Sequence, residues 1–183
     1  AEIDVAYTAG FNPHQIMSFA APLGVGLESN GEYMDIEVHS ITSCEDVKNR
    51  LNAVSAPGIE VTSVKILPEG AGNAMASVAA ASYTVVFREN RAPKFSIEEK
   101  LDAFWAKEQI LITKETKKGT REVDLKPGIY ELSYQDGVFH MLVDASSAGN
   151  IKPIQIVEAL LAENGETLTE NALLVTREDT FTD

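Results

Sequence analysis

Two dipeptides, Asn30-Gly31 and Asp136-Gly137, constrain this 183-residue chain more than any other feature. Each stands between runs that alternate apolar and polar residues. Both central positions of a type I′ turn need positive φ, which Asn, Asp and Gly tolerate. Asn30-Gly31 separates Gly24–Ser29 from Glu32–His39, where Met34, Ile36 and Val38 alternate with Tyr33, Asp35 and Glu37. Asp136-Gly137 separates Ile129–Tyr134 from Val138–Val143. Two hairpins are expected, each followed by a helix and a strand. Ser43 caps a helix bearing Val47, Leu51 and Val54, ended by Pro57-Gly58, with Ile59–Leu67 as the strand after it. Pro153 opens a helix bearing Ile156, Val157, Leu160 and Leu161, stopped near Asn164-Gly165 before a strand at Ala172–Thr176.

The second half has more in front of its hairpin. Ser82–Arg88 reads as a strand, Ser96–Lys107 as a capped helix with Ile97, Leu101, Phe104 and Trp105 inward, and Ile110–Thr113 as a further strand. Strand, helix, strand, hairpin, helix, strand contains the split βαβ arrangement. The fold class is therefore α+β, with two ferredoxin-like halves. The first lacks its opening strand and helix, because only Ala1–Tyr7 precedes the loop at Gly10 and the chain starts with Ala. By parity the native protein is expected to continue upstream by roughly 30 residues, one strand plus one helix. The halves fall at 1–68 and 82–183, joined by a linker at 69–81 that carries Gly70 and Gly72 and ends in an Ala-rich run.

Charge and cysteine content narrow the function. Fifteen basic residues against 28 acidic ones give a net charge of −13. That opposes nonspecific adhesion to nucleic acid or anionic membrane, so any such contact needs a local basic patch. No run of about 20 apolar residues and no charged-then-apolar leader is present, so neither a spanning helix nor a signal peptide is expected. A single cysteine, Cys44, leaves no internal disulfide and points to a reducing, cytoplasmic setting.

Two segments carry candidate chemistry. Gly10, Phe11, Asn12, Pro13 and His14 form a rigid loop with an aromatic, an amide and an imidazole. Gly10, Phe11, Asn12 and His14 are the candidate ligand-binding residues. His14 can act as general acid or base, or donate to a phosphate or base edge. The alternative is a structural turn with Phe11 buried. Second, Lys114, Lys117, Lys118, Arg121 and Lys126 supply a third of the basic residues from one short window, which suits RNA or another anion. The alternative there is a solvated turn paired with Glu115, Glu122 and Asp124. His14, His39 and His140 are scattered without ligand-like spacing, so no metal or cofactor is expected.

The stretch from Ala6 to Val38 holds Gly-Phe-Asn-Pro-His, then Pro22-Leu23-Gly24-Val25, then Glu32-Tyr33-Met34-Asp35-Ile36-Glu37. Lys114 to Pro127 reads Lys-Glu-Thr-Lys-Lys-Gly-Thr-Arg-Glu-Val-Asp-Leu-Lys-Pro. Both stretches resemble signatures of the radical-SAM-linked proteins, a bacterial domain family with no established activity. The resemblance implies a radical-SAM protein as partner, because members are encoded beside or fused to one, and an RNA or ribosome context. One cysteine cannot hold an iron–sulfur cluster, which takes three in a radical-SAM enzyme. Such a chain is the companion rather than the enzyme. The leading expectation is an RNA-binding or substrate-presenting module. An enzyme acting on RNA or a nucleotide through His14, and an acidic protein-binding adaptor, are the alternatives.

Overall fold

The sequence places its longest alternating runs in the second half, and the largest sheet is built there. The computed structural model describes residues 2–116 and 119–182. The early strands are β1 (Asp4–Val5), β2 (Met17–Phe19), β3 (Leu27–Ser29), β4 (Met34–Ile36) and β5 (Val38–Ser40). Helices α1 (Cys44–Asn52) and α2 (Ala74–Ser77) follow, then β6 (Val78–Phe87), α3 (Ile97–Trp105), β7 (Leu111–Thr116) and β8 (Gly119–Asp124). The chain ends with β9 (Ile129–Gln135), β10 (Val138–Asp144), α4 (Pro153–Glu163) and β11 (Leu173–Thr182). This is a mixed α/β protein with several sheets. It divides into two compact units, Ala1–Ala20 with Tyr33–Met75, and Ala21–Glu32 with Ala76–Asp183.

The first unit holds two antiparallel ribbons, β1 with β5 and β2 with β4. Helix α1 starts where Ser43 Oγ accepts from the Asp46 N–H at 3.0 Å, with Glu45 and Asp46 in its first turn to complement the helix dipole. The expected strand at Ile59–Leu67 does not form. The side-chain amide of Asn52 takes both main-chain groups of Val61, accepting at 2.7 Å and donating at 2.9 Å, in place of a strand partner. Ile59 and Ile66 are exposed. Their β-branched side chains favour strand only where a pleated surface half-buries them, and none is offered here.

The second unit is ordered β3-β11-β6-β10-β9 across one sheet. All neighbours are antiparallel except β3 with β11, which run parallel. Asp136 and Gly137, at φ +53° and +84°, make the tight turn between β9 and β10 that the sequence demands. Ser96 caps α3 by accepting from the Glu99 N–H. Ile97, Leu101 and Phe104 of α3, with Ile156, Val157, Leu160 and Leu161 of α4, share one core with Tyr83, Val85, Phe139 and Met141 of the sheet. Burying each large side chain contributes about 1.5–3 kcal/mol, so this core outweighs any surface pairing. Alternate residues of the same strands, among them Ser82, Thr84 and His140, turn to the opposite, more polar face.

Two expectations fail around β3 and β11. Asn30-Gly31 does not close a hairpin, since neither residue has positive φ and β3 pairs with β11 rather than β4. A Cβ on Gly31 would meet the Glu178 carbonyl oxygen at 2.6 Å, so glycine is needed here for close approach, not for turn geometry. β11 also runs well past Thr176, because the charged residues that follow find partners inside the unit. At the joint, Val78 and Ala81 are buried residues of β6.

Candidate functional site

The Gly10–His14 loop is closed by its own backbone. Thr8 N–H donates to the His14 carbonyl at 2.8 Å, and His14 N–H donates to Thr8 Oγ1 at 3.0 Å. Outside these, Tyr7 bridges Gln15, whose amide donates to the Tyr7 hydroxyl at 3.3 Å. Gly10 sits at φ +129°, where an L side chain is strained, although a Cβ there would meet nothing within 4 Å. Its constraint is therefore conformational. Phe11 is 100% exposed, so the ring takes no part in a core. Asn12 and His14 are exposed too. The arrangement is a fixed main-chain ring that holds an aromatic, an amide and an imidazole in solvent.

The basic window forms β7 and β8, with Lys114 directly opposite Arg121. Residues facing each other across a ladder share one side of the ribbon, and so do residues two apart. Ile112, Lys114, Arg121 and Val123 therefore lie on one face, and Thr113, Glu115, Thr120, Glu122 and Asp124 on the other. The hairpin sorts its charges by face. Like charges directly opposite each other cost stability, so a bound anion is the natural complement of the Lys114–Arg121 pair. Lys126 stands elsewhere. Its Nζ donates to the Trp105 carbonyl and lies 3.2 Å from the centroid of that ring. Asp124 Oδ1 accepts from the N–H groups of Ile110 and Lys126 at 2.9 and 3.0 Å, which fixes the base of the hairpin. Lys117 and Lys118 lie outside the described residues.

A third cluster has no signal in the sequence. Arg177 is 4% exposed. It donates through Nε and Nη2 to Glu32 Oε1, and through Nη2 to the Ala21 carbonyl. Asn30 N–H donates back to the Arg177 carbonyl at 2.8 Å. The next residue, Glu178, is the extra residue of a β-bulge, where the β11–β6 register shifts between Arg177 and Asp179. Its carboxylate accepts from Thr84 Oγ1 at 2.5 Å and from Asn30 Nδ2 at 2.9 Å. The Thr84 bond, then the Asn30 bond, hold its pKa below the usual glutamate value. Burial opposes them and His140 adds a smaller lowering. This network anchors residues 21–32 to β11. Arg, Glu and Asn are common surface residues, so only the long-range pairing reveals them.

A family described as an uncharacterized protein conserved in bacteria (DUF2344) matches residues 1–153. The chain belongs to this family. The matched region takes in the Gly10–His14 loop, the β7–β8 hairpin and four of the five strands of the large sheet, and it stops where α4 begins. Arg177 and Glu178 lie beyond it. The description links the family neither to RNA nor to a radical-SAM protein. No curated protein and no solved structure matches the chain. Among the described residues no group of three His, Cys, Asp or Glu side chains is placed to hold a metal ion. No helix among them is long and apolar enough to cross a membrane.

Proposed function

We propose that this protein is a cytoplasmic binding module that holds RNA on the basic face of the β7–β8 hairpin and presents it to a radical-SAM partner, with no chemistry of its own. The observation that carries the reading is the Lys114–Arg121 pair, set on one face of a ribbon whose carboxylates lie on the other. In a chain of net charge −13 such sorting supplies the local basic patch that binding to a phosphate backbone requires.

The order β11-β6-β10-β9, with α3 and α4 as the connections, supports reading the second unit as a split βαβ domain into which the hairpin β7–β8 is inserted. Domains of that topology serve as RNA-binding modules, but usually through aromatic residues on the open sheet face. Here the open face of the two central strands, β6 and β10, carries Ser82, Thr84 and His140 instead, and Phe181 stands at the end of β11 opposite Ala80, which favours the hairpin as the place of contact. The dependence on a partner is supported by the β2–β4 ribbon. Met17 and Phe19 are about half exposed and stand opposite Ile36 and Met34, giving an apolar face suited to another protein. One cysteine cannot ligate an iron–sulfur cluster, so the cluster would be the partner's.

Fluorescence anisotropy with a labelled single-stranded RNA dodecamer tests the reading. Arg121→Glu should weaken binding about tenfold, the loss expected when a charge-assisted phosphate contact of roughly 1.4 kcal/mol is removed. Glu122→Gln, on the opposite face, should not weaken it. Equal affinities for wild type and Arg121→Glu would remove the hairpin from the account.

A further inference from the structure

The hairpin has a second usable feature, the free edge of β7. Pairing with β8 occupies one side of that strand only. Leu125 N–H donates to the Ile110 carbonyl at 2.8 Å, which sets the phase of the ladder. Ile112 and Lys114 bond towards β8, while the N–H and C=O groups of Leu111 and Thr113 point away from it. On the free side a groove of about 670 Å³ runs between β7 and α4. Helix α4 turns Ile156, Val157, Leu160 and Leu161 into the core and presents the small side chains of Ala159 and Ala162 to the groove. The strand edge is left open, and neither a proline nor a bulge interrupts it.

The unpaired edge of β7 selects an extended chain as the occupant. A strand takes up about 3.3 Å along its axis, 4.8 Å sideways and 10 Å between layers, or roughly 160 Å³ per residue. The groove is therefore on the scale of a short stretch of extended chain. Lys114 and Glu158 both line it, and neither has an ion-pair partner among the described residues. Lys107, by contrast, is already paired with Glu163 at 2.6 Å. We propose that the groove between β7 and α4 binds an extended peptide of a partner protein, added to β7 as a third strand, with an acidic side chain facing Lys114 and a basic one facing Glu158. Main-chain bonds to the strand edge supply affinity in such complexes, and the side-chain pockets supply preference. The groove shares Lys114 with the proposed RNA contact, so the two readings are separated by residues that belong to one alone: Arg121 on β8 for RNA, Ala162 on α4 for the peptide.

The test is selection of a phage-displayed random hexapeptide library on the whole chain, with Ala162→Arg as counter-selection. Ala162 is exposed, so the variant fills the groove without entering the core. Selected sequences, made as free peptides, should bind the wild type and lose at least tenfold affinity on Ala162→Arg and on Thr113→Pro, which deletes the outward N–H. They should also slow hydrogen exchange at the Thr113 amide. Should Thr113→Pro disturb the hairpin by circular dichroism, Ala162→Arg alone decides. The proposal fails if no sequence is enriched over the counter-selection, or if selected peptides bind both variants as tightly as wild type. It fails equally if a uridine hexanucleotide, and no peptide, protects the Thr113 amide.

Discussion

Arg177 and Glu32 stand 145 positions apart in sequence and meet through two bonds to one carboxylate oxygen, Oε1, from the guanidinium Nε and Nη2. The pair fastens the segment that carries β3 to the sheet of the second unit. Arg177 is buried to 4% exposure, whereas the Glu32 side chain is 29% exposed, so the two ends of the bridge are not equivalent. Glu32→Gln should cost about 3 kcal/mol, because it leaves the buried Arg177 guanidinium without its counter-charge, and Arg177→Ala should leave a smaller electrostatic penalty, because water reaches the Glu32 carboxylate that remains. Urea denaturation of the two variants measures the difference. Equal and small losses would mean that the bridge does not hold the segment.

Gly31 should tolerate no side chain. A Cβ would stand 2.6 Å from the Glu178 carbonyl oxygen and 2.9 Å from Asp179 Cα, both main-chain atoms that cannot move aside cheaply. Gly31→Ala should destabilise by about 1–3 kcal/mol, the usual cost of overpacking. Faster hydrogen exchange at residues 27–29 should accompany it. Unchanged exchange there would show that β3 accommodates the methyl group.

Glu178 makes a pH-dependent contribution. Its folded-state pKa is lowered, first by the Thr84 hydroxyl and second by the Asn30 amide. A lowered acid stabilises the fold fully above its unfolded-state pKa, and loses that contribution as the pH falls through the folded value. The loss therefore belongs to the acid side of about pH 4.5. Thr84→Val should raise the Glu178 pKa most and Asn30→Ala by less, read from the side-chain carboxyl carbon in an NMR titration. A titration curve unmoved by Thr84→Val would place the cause elsewhere.

Local signals in the sequence are borne out wherever the structure that answers them is also local. The caps at Ser43 and Ser96, the turn at Asp136-Gly137 and the Pro153 start of α4 depend on residues within one turn, and each stands where expected. Asn30-Gly31 carries the same turn signal and means something else, because Glu32 is drawn to a buried arginine and Asn30 to β11. Neither partner is visible from a short window. Ile59–Leu67 fails for the converse reason, since its pattern suits a strand but no ladder is offered. At the candidate sites, the residue types in the loop and the basic window were readable. The division of the hairpin into a cationic and an acidic face needed the register of β7 on β8.

The Gly10–His14 loop separates shape from chemistry. Gly10 at φ +129° fixes the turn, while the exposed His14 contributes only its main chain to the closure. Gly10→Ala should cost about 1–3 kcal/mol through backbone strain, and His14→Ala should stay within about 0.5 kcal/mol of wild type. Thermal melts of both variants suffice. A large loss from His14→Ala would make the imidazole a structural group.

The central claim, that the basic face of β7–β8 holds a phosphate backbone, is tested most directly by the salt dependence of RNA binding. Each phosphate contact on a single strand contributes roughly 0.7 to the slope of log affinity against log salt concentration. Wild type and Arg121→Glu should therefore differ in slope by about 0.7 or more, the variant being the shallower. Two parallel lines, or no measurable RNA binding by the wild type at low salt, would contradict the account.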